Sequence, residues 1–484
     1  MSYAQQATSG MLWLAIGTVV AKLSSFLSLI VLGWYLNAED FALYALAYSS
    51  SVIFIALRNG GIQQLIIQRG KYSFSVAINT YTRYAFLFNF LGMFLILMLS
   101  PFVVAIYDDN ALYLLLIIIA ISLPMGTAGL LYRAKLSIDL RFSDVARFDA
   151  YSSIVRHSSA AFLAVLGFGV NSFILPLLIV ALFEGVYGKY KTQFKLLKRK
   201  KLSMYAFKRI LNRSRWMIVT GIAISLSLQG DYLIIGLFES KDIVGLYFFG
   251  FQVTIAISIV ISQGMQSVIM PVMSKIKNDP KRQSDAYMKM LFILLMVMSL
   301  VACEMYFLAA YPIDFIWQGK WNEAIPVVQL MSLSLITTVL VPLGKSILES
   351  RARWKTVSYL MVIDAFGTIL SALIGAYIGG LLAIAIAVSL FRFSYGVFYA
   401  LYIAGVLKLK YALVLKVIVY SVFSGLGSLY IVMSVNSFYV LDDKLLQLFA
   451  GSMLLAVIYI IFLVTTQFSN FMLTLNYMKS LVSK

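Results

Sequence analysis

The sequence predicts an all-α, polytopic membrane protein, and three observations support this fold class. The chain has 484 residues, of which 61% are hydrophobic, and a soluble domain of this size does not need so many apolar side chains. Charged residues make up only 12% of the chain, so long apolar runs carry few charges. These runs are continuous, unlike the alternating pattern of a lipid-facing β-barrel. At about 20 residues per membrane-spanning helix, this composition can supply roughly 14 spans.

About fourteen apolar segments, bounded by charged or turn residues, are the predicted transmembrane helices. They lie near residues 11–36, 41–66, 84–106, 111–132, 149–167, 171–188, 216–238, 243–272, 290–310, 325–348, 356–377, 381–405, 411–434 and 445–467.

The connections between these segments alternate in charge, which predicts their sidedness. One set of connections holds most of the 39 Lys and Arg residues, above all the stretch from Lys189 to Arg215. The opposite set contains few cations and includes Glu39, Asp108 and Asp109. Because membrane proteins retain Lys and Arg on the cytoplasmic side, both termini are predicted to be cytoplasmic. Most of the net charge of +19 is then topological, and nucleic acid is not an expected partner.

A weak internal repeat predicts two lobes. A shift of 203 residues aligns the segment Leu29–Gly33 (LIVLG) with Tyr232–Gly236 (YLIIG), and it pairs Gly61 with Gly264. Six spans separate the copies, and an even number preserves orientation, so the repeats are predicted to be parallel. The predicted domains are an N-terminal lobe at 1–192, a basic linker at 193–215, a C-terminal lobe at 216–405, and a pair of helices with a tail at 406–484.

Several classes of protein are disfavoured by composition. The chain has one histidine, His157, and one cysteine, Cys303, which excludes a His/Cys metal cluster and an intrachain disulfide. No GxxxxGK[ST] nucleotide-binding stretch occurs. The predicted external connections are no longer than roughly 15 residues, which leaves no room for an extramembrane domain. We therefore expect a protein that is not an enzyme, with neither cofactor nor metal.

Five stretches carry a resemblance to a known family. They are LNAEDFALYALAYSSSVIFIALRNGGIQQLIIQR from Leu36, DYLIIGLFESKDIVGLYFFG from Asp231, MPVMSKIKND from Met270, GKWNEAIPVVQLMSLS from Gly319 and PLGKSILESRARWK from Pro342. As a set they resemble the Wzx-type polysaccharide flippases of the multidrug/oligosaccharidyl-lipid/polysaccharide exporter superfamily. The resemblance implies that a polyprenyl-diphosphate-linked oligosaccharide is moved from the cytoplasmic to the periplasmic leaflet of a bacterial inner membrane. Such a protein works beside membrane lipid and a polysaccharide polymerase or export machinery.

Charges inside the predicted spans are the candidate site residues, because a charge at the bilayer centre costs at least about 2.5 kcal/mol unless it faces water or a partner. An anionic diphosphate needs cations in a wet cavity, and arginine binds phosphate oxygens in a bidentate manner. The predicted cavity residues are Lys22, Arg58, Arg156, His157, Arg392 and Lys345. Each of the cations has an alternative structural role, as the partner of an acid or carbonyl or as a side chain that reaches the interface. This alternative is favoured most for Lys345, close to the headgroup level. His157 could relay protons, but a lone histidine beside Arg156 is more often a polar group that lines the cavity.

Two intramembrane carboxylates, Asp231 and Asp364, are the predicted ion-coupling residues. A carboxylate that titrates in a desolvated site can bind and release H⁺ or Na⁺, and the sequence does not choose between these ions. The leading hypothesis is a flippase that works by alternating access. The alternatives are a cation-coupled multidrug exporter or a lipid II flippase of the same superfamily, and then a polysaccharide polymerase or ligase. A drug exporter is disfavoured because the first lobe carries Lys22, Arg58 and Arg156 where an acidic residue is typical.

Overall fold

The fold was derived from a computed structural model, which describes residues 3–59, 62–193, 204–276, 278–438 and 444–482. Within these ranges the secondary structure is helical, with one short 3-10 turn at Asn322–Ala324 and no β-strand. The predicted fold class is therefore confirmed as all-helical. Part of the predicted basic linker, residues 194–203, lies outside the described ranges.

The described helices form two compact units. Unit 1 comprises the chain up to Phe249 together with Trp354–Gly380, and unit 2 comprises Gly250–Arg353 together with the chain from Leu381. The helices are α1 (Tyr3–Tyr35), α2 (Ala38–Asn59), α3 (Ile62–Tyr107), α4 (Ala111–Met125), α5 (Thr127–Ile138), α6 (Phe142–Val165), α7 (Asn171–Thr192), α8 (Met204–Phe238), α9 (Lys241–Lys275), α10 (Pro280–Leu308), α11 (Ala310–Trp317), α12 (Ile325–Thr338), α13 (Leu340–Ser350), α14 (Trp354–Ile378), α15 (Gly380–Val406), α16 (Tyr411–Phe438) and α17 (Lys444–Val482).

Membrane spans can be counted from helix length and hydropathy. In the described part of the chain, 12 helical segments are long and apolar enough to cross a membrane. The helices α6 and α9 carry predicted spans but are not in this set. For α6 the reason is visible in its sequence, since Asp144, Arg147, Asp149 and Arg156 interrupt its apolar residues. The predicted number of fourteen spans and the cytoplasmic termini stay predictions.

Two predicted spans are each divided into two helices. The span predicted at 111–132 consists of α4 and the start of α5, which meet at Gly126. The span predicted at 325–348 consists of α12 and most of α13, which meet at Val339. Pro124 and Pro342 lie beside these breaks, and a proline inside a helix removes the N–H that would bond to the carbonyl four residues earlier. The interruptions therefore have a local cause in the sequence.

The exposed surface of unit 1 is apolar, as expected of a face in contact with lipid. On α3, Phe90, Phe94, Met98 and Phe102 recur at every fourth residue and are 50–62% exposed. The opposite side of the same helix buries Tyr81, Tyr84, Asn89 and Ser100. A helix that exposes its large apolar side chains and buries its small and polar ones is typical of a membrane bundle.

Two helix pairs dominate the packing of unit 1. α1 packs along α6, where a Cβ atom at Gly17 would lie 2.9 Å from the carbonyl oxygen of Ala146, so only glycine allows this approach. α8 packs along α14, and three hydroxyl contacts run along that pair. Thr220 lies 2.8 Å from Ser358, Ser358 donates to the Trp216 carbonyl at 2.7 Å, and Ser227 donates to Asp364 at 2.7 Å.

Ion pairs in unit 1 show which connections lie at the same end of its helices. Lys241 forms ion pairs with Asp109 and, at 3.7 Å, with Glu39, two acidic residues of the predicted external connections. At another place, Arg133 forms a bidentate pair with Asp149, and Arg141 donates to the carbonyl of Lys191 at 3.1 Å, both among predicted cytoplasmic segments. Within unit 1 the contacts therefore agree with the predicted grouping of connections.

The core of unit 2 is built around α10. Tyr287 donates to the carbonyl of Ala400 on α15, and Tyr459 on α17 donates to the carbonyl of Met296. On α16, a Cβ atom at Gly425 would lie 3.1 Å from the sulfur of Cys303, so a glycine brings α16 close to α10. Buried tyrosines that bond to backbone carbonyls satisfy their hydroxyls without water.

The two units do not coincide with the predicted lobes at 1–192 and 216–405. Unit 1 includes α8 and α14, which the predicted boundaries place in the C-terminal lobe. The helix boundaries nevertheless agree with the repeat, since α2 begins at Ala38 and α9 begins at Lys241, which are 203 residues apart. The lobes and the parallel repeat stay predictions.

Candidate functional site

Unit 1 contains a cavity of about 380 Å³, here called the unit 1 cavity. Its walls come from α2, α4, α6 and α7, and its apolar side includes Ile55, Leu123 and Leu177. Its polar lining includes Tyr48, Ser122, Ser152, Arg156, His157 and Glu184. Two of the predicted cavity residues, Arg156 and His157, therefore line one cavity.

The sequence of α6 explains why its polar residues face this cavity. Ser152, Ser153, Arg156 and His157 are spaced by one and by three to four residues, so they lie on one face of the helix. The sequence around them contains Ala160 and Ala164, which are buried at another part of the same helix. A polar stripe on a helix inside an apolar bundle faces an interior cavity because lipid cannot solvate it.

Lys22 on α1 joins this group. The hydroxyl of Ser153 on α6 donates to the carbonyl of Ala21 at 3.0 Å, which fixes the neighbouring lysine beside α6. The ammonium of Lys22 interacts electrostatically with Arg156 and His157. Two fixed cations at close range repel one another in a medium of low dielectric constant. Water or an anion between them would relieve this repulsion, and an anion would do so more strongly.

Aromatic rings border the cationic group. The side chain of Arg156 donates a hydrogen bond to the hydroxyl of Tyr44. The ring of Tyr44 is stacked on Phe173 with centroids 4.4 Å apart, and it lies 5.6 Å from the ring of Tyr48. This packing orients the guanidinium, because a buried and stacked tyrosine has few alternative positions.

Glu184 on α7 lines the same cavity and was missed in the sequence analysis. It lies within the run ALFEGVYG near the end of a predicted span, where its charge was attributed to none of the candidate roles. An acidic residue five positions before the nearest lysine, Lys189, in an apolar helix was the signal that could have found it. The presence of Glu184 weakens the argument against a drug exporter, which rested on Lys22, Arg58 and Arg156 at places where an acidic residue is typical.

The remaining predicted cations differ in their surroundings. Arg58 lies in the last turn of α2, and its side chain is outside the described residues. In unit 2, the guanidinium of Arg392 lies 4.8 Å above the ring of Phe251. Also in unit 2, Lys345 forms an ion pair with Glu349 at 3.8 Å. The structure therefore brings together Lys22, Arg156 and His157, while Arg392 and Lys345 belong to unit 2.

The two predicted coupling carboxylates lie in unit 1 and have different partners. Asp231 on α8 is completely buried and accepts a hydrogen bond from the hydroxyl of Tyr247 at 3.0 Å. Asp364 on α14 is half-buried and accepts from the hydroxyl of Ser227 at 2.7 Å. Among the residues that the structure describes, no cluster of three His, Cys, Asp or Glu side chains could hold a metal ion.

Outside the membrane-spanning segments, the ion pair between Lys241 and Asp109 shifts both titrations. Burial by itself raises the pKa of Asp109, but hydrogen bonds from Lys241 and from the N–H of Ala111 outweigh it and hold this pKa below its ordinary value. The hydrogen bond to Asp109 raises the pKa of Lys241. Each group therefore stabilises the charged form of the other.

Comparison with known families decides where this chain belongs. The profile of the polysaccharide biosynthesis protein family matches residues 31–326, which is more than half of the chain. The chain belongs to this family. The matched region includes α6, α7 and most of unit 1, so the unit 1 cavity is a feature of a polysaccharide biosynthesis protein, and the resemblance noted from the sequence is confirmed.

Curated relatives of this polysaccharide biosynthesis protein are similar along most of its length. It is 21% identical over 399 residues to the lipopolysaccharide biosynthesis protein WzxC of Escherichia coli (strain K12), covering 79% of this chain and 78% of the relative. It is 24% identical over 393 residues to the succinoglycan biosynthesis transport protein ExoT of Rhizobium meliloti (strain 1021), covering 78% and 76%. It is also similar to the teichuronic acid biosynthesis protein TuaB of Bacillus subtilis (strain 168), at 20% identity over 73% of each chain.

Solved structures show the fold of this family member. It is similar to the lipid II flippase MurJ in an inward closed conformation, with a TM-score of 0.70, 13% identity and coverage of 93% of this chain and 98% of that one. It is also similar to an inward-facing multidrug resistance transporter of the MATE family and MOP superfamily, with a TM-score of 0.64, 15% identity and coverage of 81% and 98%. The protein is therefore a multi-pass membrane protein with the fold of these transporters.

Proposed function

We propose that this protein flips a polyprenyl-diphosphate-linked oligosaccharide repeat unit from the cytoplasmic to the periplasmic leaflet of a bacterial inner membrane. The observation that carries this proposal is that Arg156 and His157 line the unit 1 cavity and that Lys22 interacts electrostatically with both. Membership of the polysaccharide biosynthesis protein family and the transport role in the name of one relative support the same substrate class.

The chemistry of the cargo explains why such a group is needed. A diphosphate that leaves water loses hydration of its negative charges, which costs several kcal/mol or more unless fixed cations replace it. Lys22 and Arg156 supply two cations at close range, and the planar guanidinium can bond two phosphate oxygens at once. The polyprenyl tail stays in the bilayer, because moving it from lipid onto the protein would not lower its free energy.

Transport of the cargo requires that its binding site open first to the cytoplasm and then to the periplasm. We assign this to alternating access of two lobes, 1–192 and 216–405, with both termini in the cytoplasm. Arg58, Arg392 and Lys345 are proposed to contact the cargo along its route. A polymerase or export machinery on the periplasmic side would consume the flipped repeat unit.

The energy source in this proposal is a coupled ion, H⁺ or Na⁺, bound by a carboxylate. Asp364 is the better candidate, because its partner Ser227 is a small neutral hydroxyl that can rotate to serve an incoming ion. Asp231 is buried under the hydroxyl of Tyr247 and accepts the N–H of Tyr232, so its bonds are those of a structural residue.

A second candidate function, export of cationic drugs, is favoured by one observation. Glu184 places a carboxylate in the unit 1 cavity, and a carboxylate is the group that binds cationic drugs or coupling ions. The fold is compatible with this activity as well as with lipid II flipping. Against export of drugs, Lys22, Arg156 and the family membership favour an anionic cargo.

Deletion of the gene tests the proposal directly. Loss of the protein should leave lipid-linked repeat units facing the cytoplasm, which lipid extraction measures. It should also remove one surface polysaccharide, which labelling of intact cells measures. Normal surface polysaccharide together with altered drug sensitivity would overturn it in favour of drug export. Accumulated lipid-linked peptidoglycan precursor with normal surface polysaccharide would instead assign the protein to lipid II.

A further inference from the structure

One part of the unit 1 cavity has no role in binding a diphosphate. It is formed by Glu184 on α7 and Ser152 on α6, both of which line the cavity. A carboxylate repels a phosphate, and a serine hydroxyl adds no charge to attract one. The side chain of Ser152 is more than nine-tenths buried, and within the described residues its hydroxyl has no hydrogen-bond partner. This part of the cavity therefore has a chemistry of its own.

The position of these two residues along their helices places them at one level. The loop that joins α6 to α7 connects Val165 to Asn171, so depth can be counted from these neighbouring helix ends. Ser152 and Glu184 each lie about 20 Å from the loop along their helices, at about 1.5 Å per residue. The two side chains thus form a single polar layer across the α6–α7 pair.

The cationic layer lies nearer the loop. Arg156 is one helical turn, about 6 Å, closer to the loop than Ser152. Its guanidinium extends further in that direction, because it bonds to Tyr44, which is near the start of α2. Arg156 and the pair of Glu184 and Ser152 therefore lie at different levels of the cavity, about one helical turn apart along α6. Glu184 also interacts electrostatically with Arg133 on α5.

The lack of a side chain at Gly129 leaves the space in which the carboxylate of Glu184 lies. A Cβ atom at Gly129 on α5 would lie 2.5 Å from the Cβ of Glu184 and 2.6 Å from its Oε2. Real side chains do not approach this closely, so the glutamate occupies space that any other residue at position 129 would take. Gly129 is thus a positioning residue for the glutamate.

We propose that Glu184 and Ser152 form a subsite for the sugar that is bonded directly to the diphosphate. The inference rests on the proposed function, since it assigns the phosphate to Lys22 and Arg156. The carboxylate of Glu184 accepts a hydrogen bond from a sugar hydroxyl, and the Ser152 hydroxyl gains the partner that it lacks. The phenol of Tyr48, which also lines the cavity, offers a further hydroxyl.

The volume of the cavity is compatible with this subsite. At about 380 Å³, the unit 1 cavity is at the lower end of the range for small-molecule sites, about 300 to 1,000 Å³. One sugar ring with its phosphate neighbours fits such a volume.

Binding of defined lipids to the purified, full-length protein in nanodiscs tests the subsite. The probes are a polyprenyl diphosphate without sugar and the same lipid carrying one glucose, galactose or N-acetylglucosamine. The wild type should bind at least one glycosylated lipid about tenfold more tightly than the bare lipid, which is typical of hydrogen bonds to a charged group. Glu184→Gln and Ser152→Ala should each remove most of this gain and change binding of the bare lipid less than about twofold.

Matched variants separate this effect from loss of structure. Glu304→Gln removes an intramembrane carboxylate of unit 2 that accepts from Ser452, and Ser158→Ala removes an exposed hydroxyl of α6 that bonds its own helix. Both should retain the gain from the sugar. Gly129→Ala displaces the glutamate without changing any charge, and it should behave as Glu184→Gln does.

The outcomes distinguish the two proposals. Failure of the wild type to bind the bare diphosphate lipid, or binding that Arg156→Gln does not weaken, overturns the proposed function. Tight, Arg156-dependent binding of the bare lipid without any gain from a sugar overturns only the subsite. The subsite is also overturned if Glu184→Gln weakens bare and glycosylated lipids equally, or if it abolishes transport while lipid binding is unchanged, since the carboxylate would then serve the coupling ion.

Discussion

The intramembrane cations of unit 1 and unit 2 are similar in sequence and different in surroundings. In unit 1, Lys22 and Arg156 repel one another beside a cavity that also contains His157. In unit 2, Arg392 lies over the ring of Phe251 and Lys345 is paired with Glu349. In our proposal Lys22 and Arg156 receive an anion, whereas Arg392 and Lys345 of unit 2 already contact a group that stabilises their charge.

This difference shows why an intramembrane charge is ambiguous from the sequence alone. A buried charge that has found a partner stabilises the fold, and the removal of one member leaves the other exposed to a medium of low dielectric constant. A buried charge beside another of the same sign is destabilising until a ligand binds. Substitutions in the two units should therefore fail in different ways.

The largest effect is expected for Arg156→Ala. Loss of charge-assisted hydrogen bonds worth about 1.5 to 3 kcal/mol should weaken cargo binding at least about tenfold and reduce export below detection in cells. Surface polysaccharide in a deletion strain that expresses the variant is the measurement. Arg156→Lys should restore part of the activity, because it keeps the charge and loses the bidentate geometry. Full export with Arg156→Ala at equal protein level would remove the cationic cavity from the mechanism.

Arg392→Ala is expected to abolish export as well, but with an additional loss of stability. A desolvated cation–π contact is worth about 2 kcal/mol, so the variant should also melt earlier than the wild type in detergent. Phe251→Leu is the matched control, since it removes the ring and keeps the cation. A double-mutant cycle of thermal stability should give a coupling energy of about 0.5 to 2 kcal/mol. Export by Arg392→Ala that equals export by Phe251→Leu would identify the arginine as structural only.

A smaller effect is expected for Lys345→Ala. The pair with Glu349 is one helical turn apart and partly exposed, so its loss should cost about 1 kcal/mol and reduce export only mildly. The double variant Lys345→Ala with Glu349→Ala should be more stable than the single variant, because no carboxylate is left without its partner. Loss of export with intact stability in Lys345→Ala would contradict this mild effect and would make the contact of Lys345 with the cargo as important as that of Arg156.

The smallest effect is expected at the ion pair of Asp109 and Lys241, which lies outside the spans. Because the pKa of Asp109 is lowered in the folded protein, its stabilisation is present above the ordinary carboxyl pKa and is lost as pH falls through the lowered value. Because the pKa of Lys241 is raised, its contribution is present below the ordinary amine pKa and is lost as pH rises through the raised value. The pair therefore stabilises the fold between these limits.

Thermal melting at different pH values measures this contribution. Lys241 is partly exposed, so solvent screening should hold the effect to about 1 kcal/mol or less. Asp109→Asn should lower the melting temperature slightly at pH 7, and its melting temperature should fall less than that of the wild type between pH 5 and pH 3. If the melting temperatures of the two proteins fall in parallel with pH, then the stabilisation comes from the pair of Lys241 with Glu39 and not from that with Asp109.

Much of the fold was predictable because apolar runs have to be helical in a bilayer. The positions of α7, α14 and α15 agree closely with predicted spans, since each is a long apolar run that carries one internal charge and is bounded by charges or glycines. The breaks beside Pro124 and Pro342 were also readable, although a hydropathy window merges the two halves. The span in α6 shows the opposite difficulty, because the polar residues that form the site lower its hydropathy.

The candidate site was only partly predictable. Arg156 and His157 stood out as polar residues in an apolar segment, but the same criterion also selected Arg392 and, with a structural role favoured, Lys345. Glu184 was overlooked because it lies near the end of a span, where a charged residue usually reaches water. Its place beside Gly129 and across from Ser152 depends on contacts between helices far apart in sequence.

The sequence by itself determined the fold class, the grouping of its connections by charge and the family to which the chain belongs. Hydropathy and charge act on each segment separately, so they can be read without knowing which helices are neighbours. Only the tertiary structure decided which charges share a cavity, which have a partner and where the carboxylate of Glu184 lies. Those properties depend on distances between helices, and in a membrane these are set by the packing of small residues such as Gly17 and Gly129.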